Sequence, residues 1–89
     1  MKENEAKVLT GRVVKVSYRG PSAVKGSRWI VSSPGWSRKT FDYDPSRNYY
    51  DDVTRVIVEY AKINGIEPET VMIGQLKPAE FVGLIQGGQ

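Results

Sequence analysis

The segment RGPSAVKGSR, residues 19–28, carries the densest set of groups able to do chemistry. Gly20 and Gly26 let a backbone approach a ligand closely and turn its N–H groups into a concave, anion-favouring array. Arg19, Lys25 and Arg28 add positive charge, and Ser22 and Ser27 add hydroxyl donors. In chemical terms this is a phosphate cradle. It is not a Walker A loop, because the Gly-Lys-Ser/Thr ending is missing and no helix follows. The same residues also serve as a hairpin loop, with glycines setting the turn and an arginine paired to a carboxylate. The sequence leaves both readings open.

Aromatic residues interleave with this basic region: Tyr18, Trp29, Trp36, Phe41 and Tyr43, with Tyr49 and Tyr50 close behind. On an exposed sheet face, rings beside Arg and Lys stack the bases of a single strand; on a covered face they are core. Trp36 falls in the Pro-Gly turn expected over residues 33–37, with Arg38 and Lys39 beside it. A tryptophan there either folds back onto the sheet or belongs to a binding surface.

Charge is distributed unevenly behind a net +3. Residues 6–41 hold eight basic side chains and no acid, whereas residues 42–89 carry a net −4. An acid-free stretch of that length favours phosphates or an acidic partner, and it equally suits a basic face balanced by an acidic half packed beside it. Asp42, Asp44, Asp51 and Asp52 gather where oxygen ligands or paired carboxylates are imaginable. Helix capping and dipole compensation account for Asp51 and Asp52 more simply.

The chain has no His and no Cys. Zinc sites, imidazole acid–base work and thiol chemistry therefore lack their usual residues, and no nucleophile–base pair stands out. The expectation is a non-catalytic protein with no cofactor and no metal. No apolar run is long enough to cross a membrane, and Met1-Lys2-Glu3-Asn4-Glu5 leads into no apolar signal region. Zero cysteines fit a reducing, cytoplasmic compartment.

These groups need a scaffold, and 89 residues allow one domain. Residues 10–18 alternate, with Val14, Val16 and Tyr18 on one face, and residues 28–32 alternate with Trp29 and Val31 together; both read as strands. A third short strand covers 39–43. Tyr49, Val53, Val56, Ile57, Tyr60 and Ala61 recur at spacings of three and four, predicting a helix capped by Asn48 or Ser46 and stopped at Asn64-Gly65, with Ile66 as a hydrophobic clasp. Strands follow at 70–76 and 80–86. Residues 1–7 and 87–89 read as frayed ends. The predicted fold is α+β: one small domain, β-β-β-α-β-β, a mainly antiparallel sheet with one helix on one face.

The run YRGPSAVKGSRW, residues 18–29, resembles the opening of a family of small uncharacterised proteins of phages, prophages and plasmids. Gly20-Pro21-Ser22 and Gly26-Ser27-Arg28 match that family's loop, the helix falls in place, and Gly74 stands where a late glycine is expected. The turn holding Trp36 departs from the pattern, as does the absence of His from the helix. The resemblance implies an accessory protein of a virus or mobile element in a bacterial or archaeal host, and no particular activity.

The leading expectation is nucleic-acid binding through a basic strand-loop-strand surface. Arg19, Lys25, Arg28, Arg38 and Lys39 would contact phosphates, Gly20, Ser22, Gly26 and Ser27 would shape the loop, and Trp36 or Tyr18 would stack. The alternatives are a protein modulator of a host enzyme and a binder of a small phosphorylated ligand. A homodimer is expected too, because one helix cannot cover both faces of five strands.

Overall fold

The computed structural model describes residues 10–24 and 26–87. The frayed lead-in expected over residues 1–7 lies outside them, as do Lys25, Gly88 and Gln89. Five strands and one helix follow in the order β1 (Arg12–Arg19), β2 (Arg28–Ser33), β3 (Trp36–Asp42), α1 (Tyr49–Ile63), β4 (Thr70–Lys77) and β5 (Glu80–Gln86). The fold is the expected α+β domain. The strands form one sheet in the order β3-β2-β1-β5-β4, and every neighbouring pair is antiparallel.

Period-two patterning sets the two faces of this sheet. Val14 and Val16 of β1, Trp29 and Val31 of β2, and Phe81 and Ile85 of β5 point to the helix side and are buried. Register carries the same face across the sheet, since Val16 opposes both Val31 and Phe81. From the helix, Val53, Val56, Ile57, Tyr60 and Ala61 complete the core. Full burial of each large apolar side chain contributes about 1.5–3 kcal/mol, so this single face holds most of the folding free energy.

Gly83 is the close-contact point between the layers. A Cβ there would lie 2.6 Å from Ile57 Cδ1, so any other residue makes the end of the Ile57 side chain move aside. The helix starts on Asn48, whose side chain accepts from the Asp51 N–H at 2.8 Å. It ends in a Schellman arrangement: the Ile66 N–H donates to Ala61 O at 2.9 Å and the Gly65 N–H to Lys62 O at 3.0 Å. Gly65 takes φ +83° there, and Ile66 packs against the core.

One boundary differs from the sequence expectation. The turn between β2 and β3 contains only Pro34 and Gly35, with Gly35 at φ +82°, and Ser33 already opposes Trp36. Pro followed by a positive-φ Gly is a type II turn pattern, so the chain reverses within two residues. Trp36 is therefore the first residue of β3 rather than part of the turn.

Candidate functional site

The sheet face away from the helix has two unlike halves. Toward β2 and β3 it carries Lys15, Ser17, Arg19, Arg28, Ile30, Ser32 and Thr40. Toward β4 and β5 it carries Val13, Met72, Gly74, Val82 and Leu84.

Arg19 and Arg28 stand directly opposite each other across the β1–β2 pair. Side chains so placed have Cβ atoms about 4.5–5.5 Å apart, and like charges there repel. Asp42 is in register with Arg28 on its other side, yet among the described residues neither guanidinium has a carboxylate oxygen within 4.0 Å. Among the described residues the Arg28 guanidinium donates only to Gly26 O, at 3.3 Å. Lys15, on the same face, is loosely paired with Glu80 at 3.7 Å.

The loop joining these strands is less of a cradle than its composition suggests. Gly20 and Gly26 both have ordinary negative-side backbone, and a Cβ on either would touch nothing within 4 Å. Neither turn geometry nor close packing requires glycine at these positions. The Val24 N–H lies 3.4 Å from Ser22 Oγ, which keeps that hydroxyl within the loop. Ser27 is a structural tie: its hydroxyl bonds Tyr18 Oη at 2.9 Å, and its carbonyl accepts from the Tyr43 N–H at 3.2 Å. Lys25 lies outside the described residues.

The other expected contacts are scattered. Lys39 opposes Val31 and so belongs to the helix side, at the sheet's edge. Arg38 sits with Ser37 in a bulge, two residues against Ser32. Trp36 stands about 16 Å from the Arg28 end, five residues along β2 at about 3.3 Å each. It is half-buried on the helix side, edge-on to Tyr60 at 5.4 Å, with the Arg12 guanidinium 4.1 Å from its ring centre. Arg12 in turn donates to Ser33 Oγ at 3.1 Å and Pro34 O at 2.6 Å. One of the eight basic residues is thus spent on holding the fold. Tyr18 is also on the helix side, edge-on to Trp29 and Tyr43 at 5.5 Å each. The two rings expected to stack on a ligand are both packed against the protein.

A buried carboxylate is the feature that sequence reasoning undervalued. Asp52 is fully buried, not merely a surface charge at the helix start. Its Oδ2 accepts from Trp29 Nε1 at 2.7 Å and from the Asp44 N–H at 3.0 Å, and its Oδ1 from Arg55 Nε at 2.8 Å. Arg55 is itself held by Asp42 O at 2.8 Å. Burial pushes the Asp52 carboxyl up, but the Arg55, Asp44 and Trp29 hydrogen bonds with the Arg55 charge outweigh it, leaving the group below the ordinary carboxylate range. The signals for it were a buried Trp needing an N–H partner and an Asp–Arg pair three residues apart on the helix. With every oxygen engaged, Asp52 positions the helix start against β2 and has no route to a ligand. Among the described residues no three His, Cys, Asp or Glu side chains are grouped to hold a metal ion, and no helix is long and apolar enough to cross a membrane.

An uncovered second face was expected, but not which residues would make it apolar. Val13 and Met72 are 51% and 47% exposed, and beside them lies a shallow hollow of about 390 Å³ over Gly74, walled by Val82 and Leu84. No family model matches this chain, and no curated protein or solved structure matches it either.

Proposed function

We propose that the chain is a non-catalytic nucleic-acid-binding module whose ligand backbone crosses the β1–β2 end of the open sheet face. One observation carries this reading: Arg19 faces Arg28 across adjacent strands, and among the described residues no carboxylate neutralises either. A bound phosphate backbone converts that repulsion into two charge-assisted contacts, and Lys15 extends the track along β1. The hydroxyls of Ser17, Ser32 and Thr40 sit between these cations as neutral donors. Trp36, Lys39 and Tyr18 are left out of the interface. Recognition then rests on backbone charge, with little base stacking and little sequence preference. An accessory role for a phage or mobile element, in the cytoplasm of a bacterial or archaeal host, fits such a module.

A protein partner in the host is the second reading, favoured by the exposed apolar half of the same face. Fluorescence anisotropy with labelled single-stranded DNA, duplex DNA and RNA separates the two. With about three phosphate contacts, the log–log salt slope between about 50 and 200 mM is about −2 to −3. Arg28→Glu, with an unchanged circular dichroism spectrum, weakens binding to all sequences alike and flattens that slope. If the parent fails to bind at the lower salt, or Arg28→Glu binds as the parent does, the nucleic-acid reading is wrong.

A further inference from the structure

The two edges of the sheet are built differently. β3 carries Arg38, Lys39 and a bulge, three devices that discourage another strand from pairing. β4 has neither charge nor proline from Thr70 to Leu76, and its one irregularity comes at its end, between Gln75 and Lys77. Among the described residues it bonds only β5, so one side of its backbone presents N–H and C=O groups that no described strand pairs. Met72 and Leu76 are 47% and 61% exposed along it.

We infer that β4 is a homotypic docking edge, where a second copy of this chain adds its own β4 antiparallel and joins the two sheets into one of ten strands. The choice of a second copy rests on self-complementarity. With Ile73 on the two-fold axis, Met72 lies opposite the partner's Gly74, and both are on the open face. Gly74 leaves room: a Cβ there would meet nothing within 4 Å, and the hollow of about 390 Å³ lies directly above it. A glycine inside a strand commonly marks the approach of another chain, and a flexible thioether suits an irregular gap. Each methionine leans into the other copy's hollow over Gly74, toward Val82. The register also keeps both helices on one side of the joined sheet, because residues 71, 73 and 75 all share the helix face.

Sedimentation equilibrium of the full chain over a concentration series tests this. The expected result is a shift from 10.0 kDa toward twice that mass. Gly74→Val fills the hollow on a strand that accepts a β-branched residue, and Met72→Lys places a charge on the edge. Both keep the parent's circular dichroism spectrum and remain monomeric. The chain has no native cysteine, so Ile73→Cys should be linked by a short bismaleimide while Thr40→Cys, on the opposite edge, is not. A parent that stays at 10.0 kDa throughout overturns the inference. So does a dimer that survives both substitutions, or one that links through Thr40→Cys instead.

Discussion

Trp29 donates its indole N–H to Asp52 at 2.7 Å, with both side chains buried. This contact joins the start of β2, on the helix-covered sheet face, to the first turn of the helix, 23 residues later in the chain. It sets where the helix begins along β2. The arginine that completes it, Arg55, also holds the end of β3 through Asp42 O.

Removing the carboxylate should be among the most damaging single changes. Asp52→Ala leaves the indole N–H and the Asp44 N–H without an acceptor and Arg55 without its counter-ion, a loss of about 3–5 kcal/mol. Asp52→Asn recovers part of it, because its oxygen serves Trp29 and Asp44 while its NH2 is turned wrongly toward Arg55. Urea denaturation followed by Trp fluorescence measures both. A cost for Asp52→Ala below about 1 kcal/mol, the worth of one ordinary hydrogen bond, would show that the contact is incidental.

The same group makes stability depend on pH. Its carboxyl is held below its ordinary value of 3.8, so the stabilisation is complete above that value and is lost as pH falls through the lower folded one. Asp44, hydrogen-bonded by Ser46 and paired with Arg47, is shifted the same way. Thermal melts should therefore stay level from neutral pH down to the ordinary carboxylate range and fall steeply below it. In Asp52→Asn that acid limb becomes shallower. An equally steep limb in the variant would assign the acid sensitivity elsewhere.

Trp36 separates packing from recognition. Trp36→Ala gives up the Tyr60 contact and the Arg12 guanidinium over its ring, costing about 1–3 kcal/mol for a half-buried aromatic. Affinity for oligonucleotides should not change. Lost binding in a variant that is still folded would return Trp36 to the interface.

The two strand glycines should respond in opposite ways. Gly83→Ala makes the end of the Ile57 side chain move aside and costs about 1 kcal/mol. Gly74→Ala meets nothing and stays within about 0.5 kcal/mol of the parent. Both belong in melts at low protein concentration, where self-association contributes nothing. Equal losses would mean that the helix does not rest on Gly83.

Local patterns made most of this architecture readable. Alternation in Val14, Val16 and Tyr18 placed β1 and its buried face, and helical spacing from Tyr49 to Ala61 placed α1. Asn64-Gly65-Ile66 announced the helix end. What failed was whatever depended on distant partners. The Pro-Gly pair located a turn but not how soon pairing resumed, so Trp36 was set in a loop when it begins a strand. The acid-free stretch was real in sequence, but alternation and a bulge divide its cations between two faces, and Arg12 turns inward to Trp36. Arg19 and Arg28 come together only because β1 and β2 pair in one register, which the eight intervening residues do not dictate.

The central position of β1 has a consequence for how the chain reaches this state. One side of β1 meets β2 after a short loop, but the other is satisfied only by β5, with Arg12 opposite Ile85 and the Gln86 side chain donating to Thr10 O at 2.8 Å. The sheet's middle strand thus waits for the last strand to be synthesised. A nascent chain that has made the first three strands and the helix still lacks two of the five strands, and the part of the helix face that packs on β4 and β5 is uncovered. The β1–β5 pairing closes a loop of that length before its own contacts form, which slows folding and leaves the open edge of β1 exposed to aggregation meanwhile.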